Sequence, residues 1–213
     1  MGASIHGGGS KVGPIGARTA VADKAAPGKT PAADLEINLQ HLKWVEQGRL
    51  LSCSEILEHY GVAAERALQR LEAELGVALH REWILAIIKQ ETGGVVRPRF
   101  EQHVLTRLNR NAPDVELAEL RLRATSFGLG QVMGFNHAKA GAPSAAAMFR
   151  APLDEQVLHL TRFIAARPRV PSKGNPGAAD FRTFARYYNG PLYAKHRYHE
   201  RIERWFWEFR RLA

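Results

Sequence analysis

Glu91 is the residue whose setting most clearly predicts chemistry. It ends the segment HREWILAIIKQE, residues 80–91, in which Ile84, Ile87 and Ile88 share one helical face with Glu91. Desolvation by these isoleucines and the negative end of the helix dipole both disfavour a carboxylate, so they should raise the pKa of Glu91. A carboxyl that stays protonated near neutral pH can act as a general acid. The alternative is that Glu91 simply emerges into solvent where the helix ends.

The second candidate region is TSFGLGQVMGFN, residues 125–136, which combines three glycines with two amide side chains. Gln131 and Asn136 can donate and accept hydrogen bonds simultaneously, which suits the hydroxyl and acetamido groups of sugars. The glycine spacing does not fit a dinucleotide fingerprint, and a P-loop would need Gly-Lys followed by Ser or Thr. A glycine-rich turn between two helices is the structural alternative.

The third candidate region is YYNGPLY, residues 187–193, in which three tyrosines surround an Asn-Gly-Pro turn signal. Aromatic rings of this kind can stack on sugar rings. Tyrosines that flank a turn are also common as partly buried structural residues, and the pattern alone leaves both interpretations open.

No metal or other cofactor is predicted. His196 and His199 lie beside Glu200, but the segment contains neither HExxH nor its inverse, which favours a surface helix. Cys53 is the one cysteine, and this count excludes an intrachain disulfide and a cysteine-based zinc cluster. Cys53 also lies far from any histidine-rich loop, so we expect it to be structural.

The elements that must position these residues are predicted to be almost entirely helices. Apolar residues recur at helical spacing in segments that begin at cap-forming residues and end near glycine. The predicted helices cover residues 34–48, 52–61, 62–75, 80–91, 100–110, 115–124, 143–150, 153–167, 179–188 and 193–211. The best strand candidate is the short Val95–Val96 pair. The predicted fold class is therefore mainly α, with little or no β structure.

The predicted organisation has three parts. Residues 1–33 are dominated by Gly, Ala, Pro, Ser, Thr and Lys and are expected to form a flexible tail. Residues 34–62 are expected to be a helical lead-in of unknown role, in which a Ser52–Glu55 capping box starts a short helix that Gly61 ends. Residues 63–213 are expected to form the main domain.

The chain of 213 residues carries a formal net charge of +9, which predicts a polyanionic partner. Nucleic acid, an anionic membrane or lipopolysaccharide surface, and the carboxylate-rich bacterial cell wall all meet this description. Nucleic acid is disfavoured because the arginines are spread over many helices and no nucleic-acid-binding motif is present. The C-terminal segment HERIERWFWEFRRLA, residues 199–213, is predicted to be a docked helix, with weak contact to an anionic membrane as the alternative.

Taken together, these regions resemble the N-acetylmuramidase family of phage endolysins and related cell-wall lytic proteins, a helical, lysozyme-like group. The resemblance covers about residues 63–208 and depends on four motifs in the same order. They are the apolar helix that ends in Glu91 before a small residue and glycine; Phe100-Glu101-Gln102-His103; Ser126 to Gly128 with Gln131, Met133, Gly134 and Asn136; and Tyr188-Asn189-Gly190-Pro191 with Tyr193. The chain departs from the family at Phe127, where tryptophan is usual, and in a longer loop over residues 167–179.

The resemblance implies a muramidase that cleaves the β-1,4 bond between N-acetylmuramic acid and N-acetylglucosamine, with Glu91 as the catalytic acid. It implies that Glu101 lies in or near the glycan groove, where it is the best candidate for the second carboxylate and could be a base, a nucleophile or merely structural. It also implies a glycan groove that contains the substrate-binding residues Ser126, Gln131, Asn136, Tyr188, Asn189 and Tyr193. The role of Glu101 depends on its separation from Glu91, about 5 to 5.5 Å for a retaining enzyme and about 6.5 to 9.5 Å for an inverting one.

Two alternative functions remain open at this point. A lytic transglycosylase needs only one glutamate, because a hydroxyl of the substrate itself attacks. A non-catalytic basic module that binds peptidoglycan or nucleic acid would explain the charge without using Glu91.

The amino terminus does not resemble a secretory signal, and no segment approaches the roughly 18 apolar residues of a membrane span. We therefore expect the protein to be made in the cytoplasm and to reach the wall through a phage release system or an antibacterial secretion apparatus. In the second case the flexible tail suits a secretion carrier, and a dedicated immunity protein is expected.

Overall fold

The computed structural model describes residues 47–166 and 174–213, which all belong to one unit of the chain. The predicted tail over residues 1–33, nearly all of the helix predicted over 34–48 and most of the predicted long loop lie outside the described residues. Within them, the α-helices are α1 (Cys53–Leu75), α2 (Arg81–Glu91), α3 (Gln102–Asn111), α4 (Leu117–Arg123), α5 (Ala145–Arg150), α6 (Leu153–Ala165), α7 (Ala178–Asn189) and α8 (Tyr198–Leu212).

A small antiparallel sheet accompanies these helices. Its strands are β1 (Arg99–Phe100), β2 (Thr125–Phe127) and β3 (Val132–Met133), in the order β1-β2-β3, and a 3-10 turn follows at Gly134–Asn136. Arg99 is paired with Ser126, and Ser126 with Met133. The prediction of a mainly helical fold with little β structure is confirmed.

Helix α1 is continuous where the sequence predicted two helices. Its capping box is as predicted, since the Ser52 hydroxyl accepts from the Glu55 amide and the Glu55 carboxylate accepts from the Ser52 amide at 2.8 Å. The predicted stop at Gly61 is wrong. An interior glycine costs a helix only about 1 kcal/mol, and burial of Ile56 and Tyr60 on the same helix outweighs that cost. The helix ends instead at Gly76, where φ is +64°.

Helix α1 also runs across the predicted boundary between the lead-in and the main domain. The boundary between residues 62 and 63 lies in the middle of this helix. Residues before it are part of the core, because Leu51 and Ile56 are fully buried. The Leu51 amide also donates to the Gly93 carbonyl at 2.8 Å, directly after α2. The segment from Leu51 onward therefore belongs structurally with the helices that follow.

Helix α2 lies at the centre of the core. Six consecutive residues, 83–88, have no solvent exposure, so the helix is buried on all sides and not only on the predicted isoleucine face. It packs against α1 and α8. The Trp83 ring lies 5.1 Å from that of Phe181 and 4.9 Å from that of Phe206. Such packing fixes α2, and therefore the position of Glu91 at its end.

The strand predicted at Val95–Val96 is wrong. The two glycines before it have φ angles of +57° and +82°, and the Val95 amide donates to the Thr92 carbonyl at 3.2 Å in a turn. Val95 is buried in the core by this turn and pairs with no strand. The observed strands have only two or three residues, which is too short for alternation between apolar and polar residues to identify them.

The C-terminal helix α8 is docked onto the core, as predicted. It begins at Tyr198 and not at residue 193, because residues 191–197 form turns. Phe206 and Phe209 on this helix are fully buried, and Arg210 forms an ion pair with the buried Glu82 at 3.0 Å. These two phenylalanines are therefore occupied by the protein's own core, and Trp205 and Trp207 are partly buried against it. In the part of the chain that the structure describes, no helix is both long and apolar enough to cross a membrane.

Candidate active site

Glu91 opens onto a groove of about 440 Å³ at the C-terminal end of α2. Pockets that hold small ligands typically have volumes of about 300 to 1,000 Å³. The lining residues are Leu50, Lys89, Gln90, Glu91, Thr92, Gly93, Val95, Arg97, Pro98, Arg99 and Gln131. Among these described residues, Glu91 alone carries a carboxylate.

The environment of Glu91 favours its protonated form. Burial raises the pKa of the Glu91 carboxyl above its usual value. A hydrogen bond from the Tyr198 hydroxyl to Glu91 Oε1 and the charges of Arg201 and Arg99 act in the opposite direction, but they offset only part of the effect of burial. The predicted direction of the pKa change at Glu91 therefore agrees with the structure, and burial is its main cause.

Tyr198 is a site residue that the sequence analysis missed. It is buried at the start of α8, and its hydroxyl is within hydrogen-bond distance of Glu91 although 107 residues separate the two. The available signal was the helical spacing of Tyr198, Arg201 and Trp205. Arg201 Nε and Trp205 Nε1 donate to the Gln90 side-chain oxygen at 3.1 and 3.3 Å, so this face of α8 holds the end of α2.

The glycine-rich segment forms the hairpin loop between β2 and β3, beside the end of α2. The Thr92 hydroxyl donates to the Leu129 carbonyl at 2.9 Å, and the Tyr188 hydroxyl donates to the Gly130 carbonyl at 2.6 Å. Gly130 has no room for a side chain, because a Cβ there would lie 2.4 Å from Leu160 Cδ1. Thr92 and Tyr188 therefore fix the hairpin loop against α2 and α7.

Gln131 is the residue of this loop that reaches the groove. Its backbone has a φ of +51°, and its side-chain nitrogen donates to the Gly128 carbonyl at 3.0 Å. The buried Ser126 hydroxyl donates to Gln131 Oε1 at 2.8 Å. These contacts hold the Gln131 amide and still leave one amide hydrogen for a ligand. Ser126 thus lies behind Gln131 and supports it.

The other predicted substrate-binding residues do not line the groove. The Tyr188 ring stacks on Phe184 at 5.7 Å, and burial holds the pKa of its hydroxyl well above the usual value. Asn189 is exposed at the end of α7, and Asn136 ends the 3-10 turn. Tyr193 contacts the His199 ring edge-on, with centroids 5.3 Å apart.

Glu101 lies outside the lining of the groove but is connected to it through Arg99. Its carboxylate forms an ion pair with Arg99 Nε at 2.9 Å and lies 3.5 Å from His103 Nδ1. Arg99 itself lines the groove, and its charge acts on Glu91. The two predicted catalytic carboxylates are therefore neighbours of the same arginine. In the described ranges, no group of three or more His, Cys, Asp or Glu side chains is placed to hold a metal ion.

A helical domain that presents a partly buried carboxyl with a raised pKa to a groove of this size fits the general acid of a glycosidase. The family model described as N-acetylmuramidase matches residues 89–210, more than half of the chain. The chain therefore belongs to the N-acetylmuramidase family and is a glycoside hydrolase that acts on peptidoglycan. This match confirms the family resemblance inferred from the four motifs.

The fold has a counterpart among solved structures. The chain is similar to the crystal structure of Burkholderia AP3 phage endolysin, with a TM-score of 0.51 and 20% identity over 85% of each chain. At this level of identity the likeness concerns the fold. Comparison with curated proteins found no match.

Replacement of Tyr198 by phenylalanine is expected to move the high-pH limb of the activity profile to higher pH. The change removes a hydrogen bond that favours the carboxylate, so the pKa of Glu91 should rise further. The limb reports loss of the proton from the catalytic acid. The control is Tyr187→Phe, whose hydroxyl donates to the Phe163 carbonyl at 3.0 Å. If the high-pH limb of Tyr198→Phe stays in place or moves to lower pH, the result would contradict the hydrogen bond from the Tyr198 hydroxyl to Glu91.

Proposed function

We propose that this chain cleaves the β-1,4 bond between N-acetylmuramic acid and N-acetylglucosamine, with Glu91 as the general acid. The main support for the proposal is that the Glu91 carboxyl lies at the groove of about 440 Å³ and that burial raises its pKa. The family match over residues 89–210 supports the same bond.

The surroundings of Glu91 contain groups that stabilise its protonated form and groups that stabilise its carboxylate. Burial supplies the protonated carboxyl that gives its proton to the leaving glycosidic oxygen while an oxocarbenium-like sugar develops. Once the proton has left, the Tyr198 hydroxyl and the charges of Arg99 and Arg201 stabilise the carboxylate that remains. The carboxylate can then accept a proton from the water molecule whose oxygen bonds to the anomeric carbon of the oxocarbenium-like sugar, which gives the reducing end. The cycle closes with Glu91 protonated again.

We propose that Glu101 acts through Arg99. The ion pair at 2.9 Å holds the Arg99 side chain, and Arg99 lines the groove in which Glu91 lies. A direct role for Glu101 as base or nucleophile requires it to reach the sugar as well. Glu101→Gln tests the two roles, because loss of a nucleophile removes nearly all activity whereas loss of a support for Arg99 mainly shifts the pH dependence.

For substrate binding, we propose that Gln131 makes the direct contact and that Ser126 and Tyr188 support the loop that presents it. The hydrogen bonds from Ser126 to Gln131 and from Tyr188 to Gly130 favour this division. Asn136, Asn189 and Tyr193 remain proposed contacts for more distant parts of the glycan strand. We also propose that the catalytic domain starts at Leu51, whose amide donates to the Gly93 carbonyl.

Lytic transglycosylation is the second candidate reaction, because Glu91 is the one carboxylate among the described residues that line the groove. Mass spectrometry of fragments released from purified sacculi distinguishes the two reactions. We expect products with reducing N-acetylmuramic acid ends. Products with 1,6-anhydro ends would contradict hydrolysis, and reducing N-acetylglucosamine ends would contradict the choice of bond.

We propose that the protein reaches the wall as a phage endolysin, with an antibacterial effector as the alternative. The formal charge of +9 supports attraction to the anionic wall in both cases. The test is to express the chain in the periplasm together with the product of each neighbouring gene. Protection by one such product would identify an immunity protein and favour the effector. Lysis that no neighbour prevents, with holin-like genes beside it, is the result expected for an endolysin.

A further inference from the structure

We propose that a second pocket, lined by Arg197, Glu200, Arg201 and Arg204, binds a carboxylate of the peptide stem that muramic acid carries. The inference depends on the proposed function, because it concerns the same substrate. The pocket has a volume of about 320 Å³ and is formed by the start of α8 and the residue before it.

The arginine pocket is close to the catalytic acid. Arg201 lines the pocket, and its Nε donates to the Gln90 side chain at 3.1 Å. Gln90 is the residue before Glu91 and lines the glycan groove. The charge of Arg201 also acts on the Glu91 carboxyl. These contacts join the pocket to the end of α2, so a stem attached to the muramic acid at the cleavage point is expected to reach the pocket.

The charges that line this pocket are not balanced. Glu200 forms an ion pair with Arg197. The hydrogen-bond acceptors of Arg201 are the Gln90 side chain and the His196 carbonyl, which are both uncharged. Among the described residues, Arg201 and Arg204 form no ion pair with a carboxylate. Three arginines and one glutamate give the lining a net charge of about +2.

Two further features favour binding of a carboxylate in the pocket. The Arg204 guanidinium lies 3.8 Å from the centroid of the Trp205 ring, which holds it by a cation–π contact. The pocket also lies at the N-terminal end of α8, where the helix dipole favours an anion. Guanidinium groups bind carboxylates through paired hydrogen bonds. The acetamido and hydroxyl groups of the glycan backbone carry no charge, so they would leave these arginines uncompensated.

The inference predicts that cleavage depends on the charge of the stem. The experiment compares initial rates on native sacculi with rates on sacculi whose carboxylates have been converted to amides by carbodiimide and ammonia. We expect the native rate to be about tenfold higher for the unaltered chain, as loss of a charged hydrogen bond predicts. In Arg204→Gln the ratio of the two rates should fall to about two. Strands stripped of their stems by an amidase should behave like the amidated sacculi.

Arg182→Gln is the matched control for the loss of one positive charge. Arg182 is exposed on α7 and does not line the pocket, so this variant should keep the ratio of the unaltered chain. Arg204 is also exposed, and an unchanged melting temperature would verify that Arg204→Gln folds. Equal rates on native and amidated sacculi, or an unchanged ratio in Arg204→Gln, would overturn the carboxylate pocket while leaving the muramidase intact. Failure of the unaltered chain to cleave native sacculi would instead contradict the proposed function.

Discussion

Glu91→Gln is expected to fold normally and to lose nearly all hydrolysis of peptidoglycan. Glutamine retains an oxygen that can accept the hydrogen bond from Tyr198, but it cannot donate an acidic proton to the leaving oxygen. General acid catalysis contributes about 100-fold to 10,000-fold to a rate, so activity should fall by at least about 100-fold. The measurement is release of dye from labelled sacculi. Glu72→Gln, an exposed glutamate on α1, is the control and should remain active.

The same variant is expected to be more stable than the unaltered chain at neutral pH. Because burial raises the pKa of Glu91 in the folded chain, the folded chain binds this proton more tightly than the unfolded chain does. The unaltered protein therefore loses this contribution as the pH rises through the folded-state pKa, whereas glutamine has no proton to lose. The difference in melting temperature should grow with pH. A difference in melting temperature that stays constant as the pH rises from the ordinary pKa of glutamate to the raised pKa of Glu91 would contradict the raised pKa. Substantial dye release by the variant would contradict the role of Glu91 as the acid.

Gly134→Ala is expected to destabilise the fold more than a typical surface substitution does. Gly134 is buried, and a Cβ there would lie 2.1 Å from the Leu122 carbonyl oxygen and 2.9 Å from Phe127 Cε2. The closest of these atoms belongs to the backbone, so it cannot move aside as a flexible side chain can. We expect a cost of about 3 kcal/mol in the free energy of unfolding. This corresponds to a melting temperature roughly 6 to 12 °C lower.

Gly177→Ala is the matched control for this prediction. Gly177 precedes α7 with a φ of −96°, which alanine can adopt. Among the described residues, the atom closest to an added Cβ would be Asp180 Oδ2, at 3.8 Å. The control should therefore unfold close to the temperature of the unaltered chain. Equal melting temperatures for the two variants would show that the hairpin and α4 can separate without cost.

The parts of the fold that the sequence predicts are those set by local periodicity. The helix that ends in Glu91 is identifiable because its apolar residues recur at helical spacing and two glycines follow it. The helix end predicted at Gly61 is wrong because the tertiary burial that keeps a glycine helical is not visible in a local pattern. Tyr198 was missed for a related reason, since only the packing of α8 on α2 brings its hydroxyl to Glu91.

At the candidate site, too, the sequence identifies residues but not the tertiary contacts that they make. The motifs identify Ser126 and Tyr188, but spacing does not distinguish a side chain that touches a ligand from one that holds the loop beside it. Their hydroxyls are hydrogen-bonded to Gln131 and to the Gly130 carbonyl. Glu101 is similar, because its contact with Arg99 depends on the strand that precedes α3. In each case the residue type indicates that the side chain belongs to the site. The role that we propose for it depends on the partner it contacts in the three-dimensional structure.

The separation of Glu91 and Tyr198 along the chain means that the two residues are synthesised at different times. A ribosome that adds roughly 5 to 20 residues per second needs about 5 to 20 seconds to travel the 107 residues between them. During this interval the nascent polypeptide contains Glu91 but not the helix that holds the end of α2. A chain whose translation stops before α8 therefore has Arg99 but lacks Tyr198 and Arg201, the other two groups that act on Glu91. The environment of the Glu91 carboxyl is therefore complete only after α8 has been synthesised.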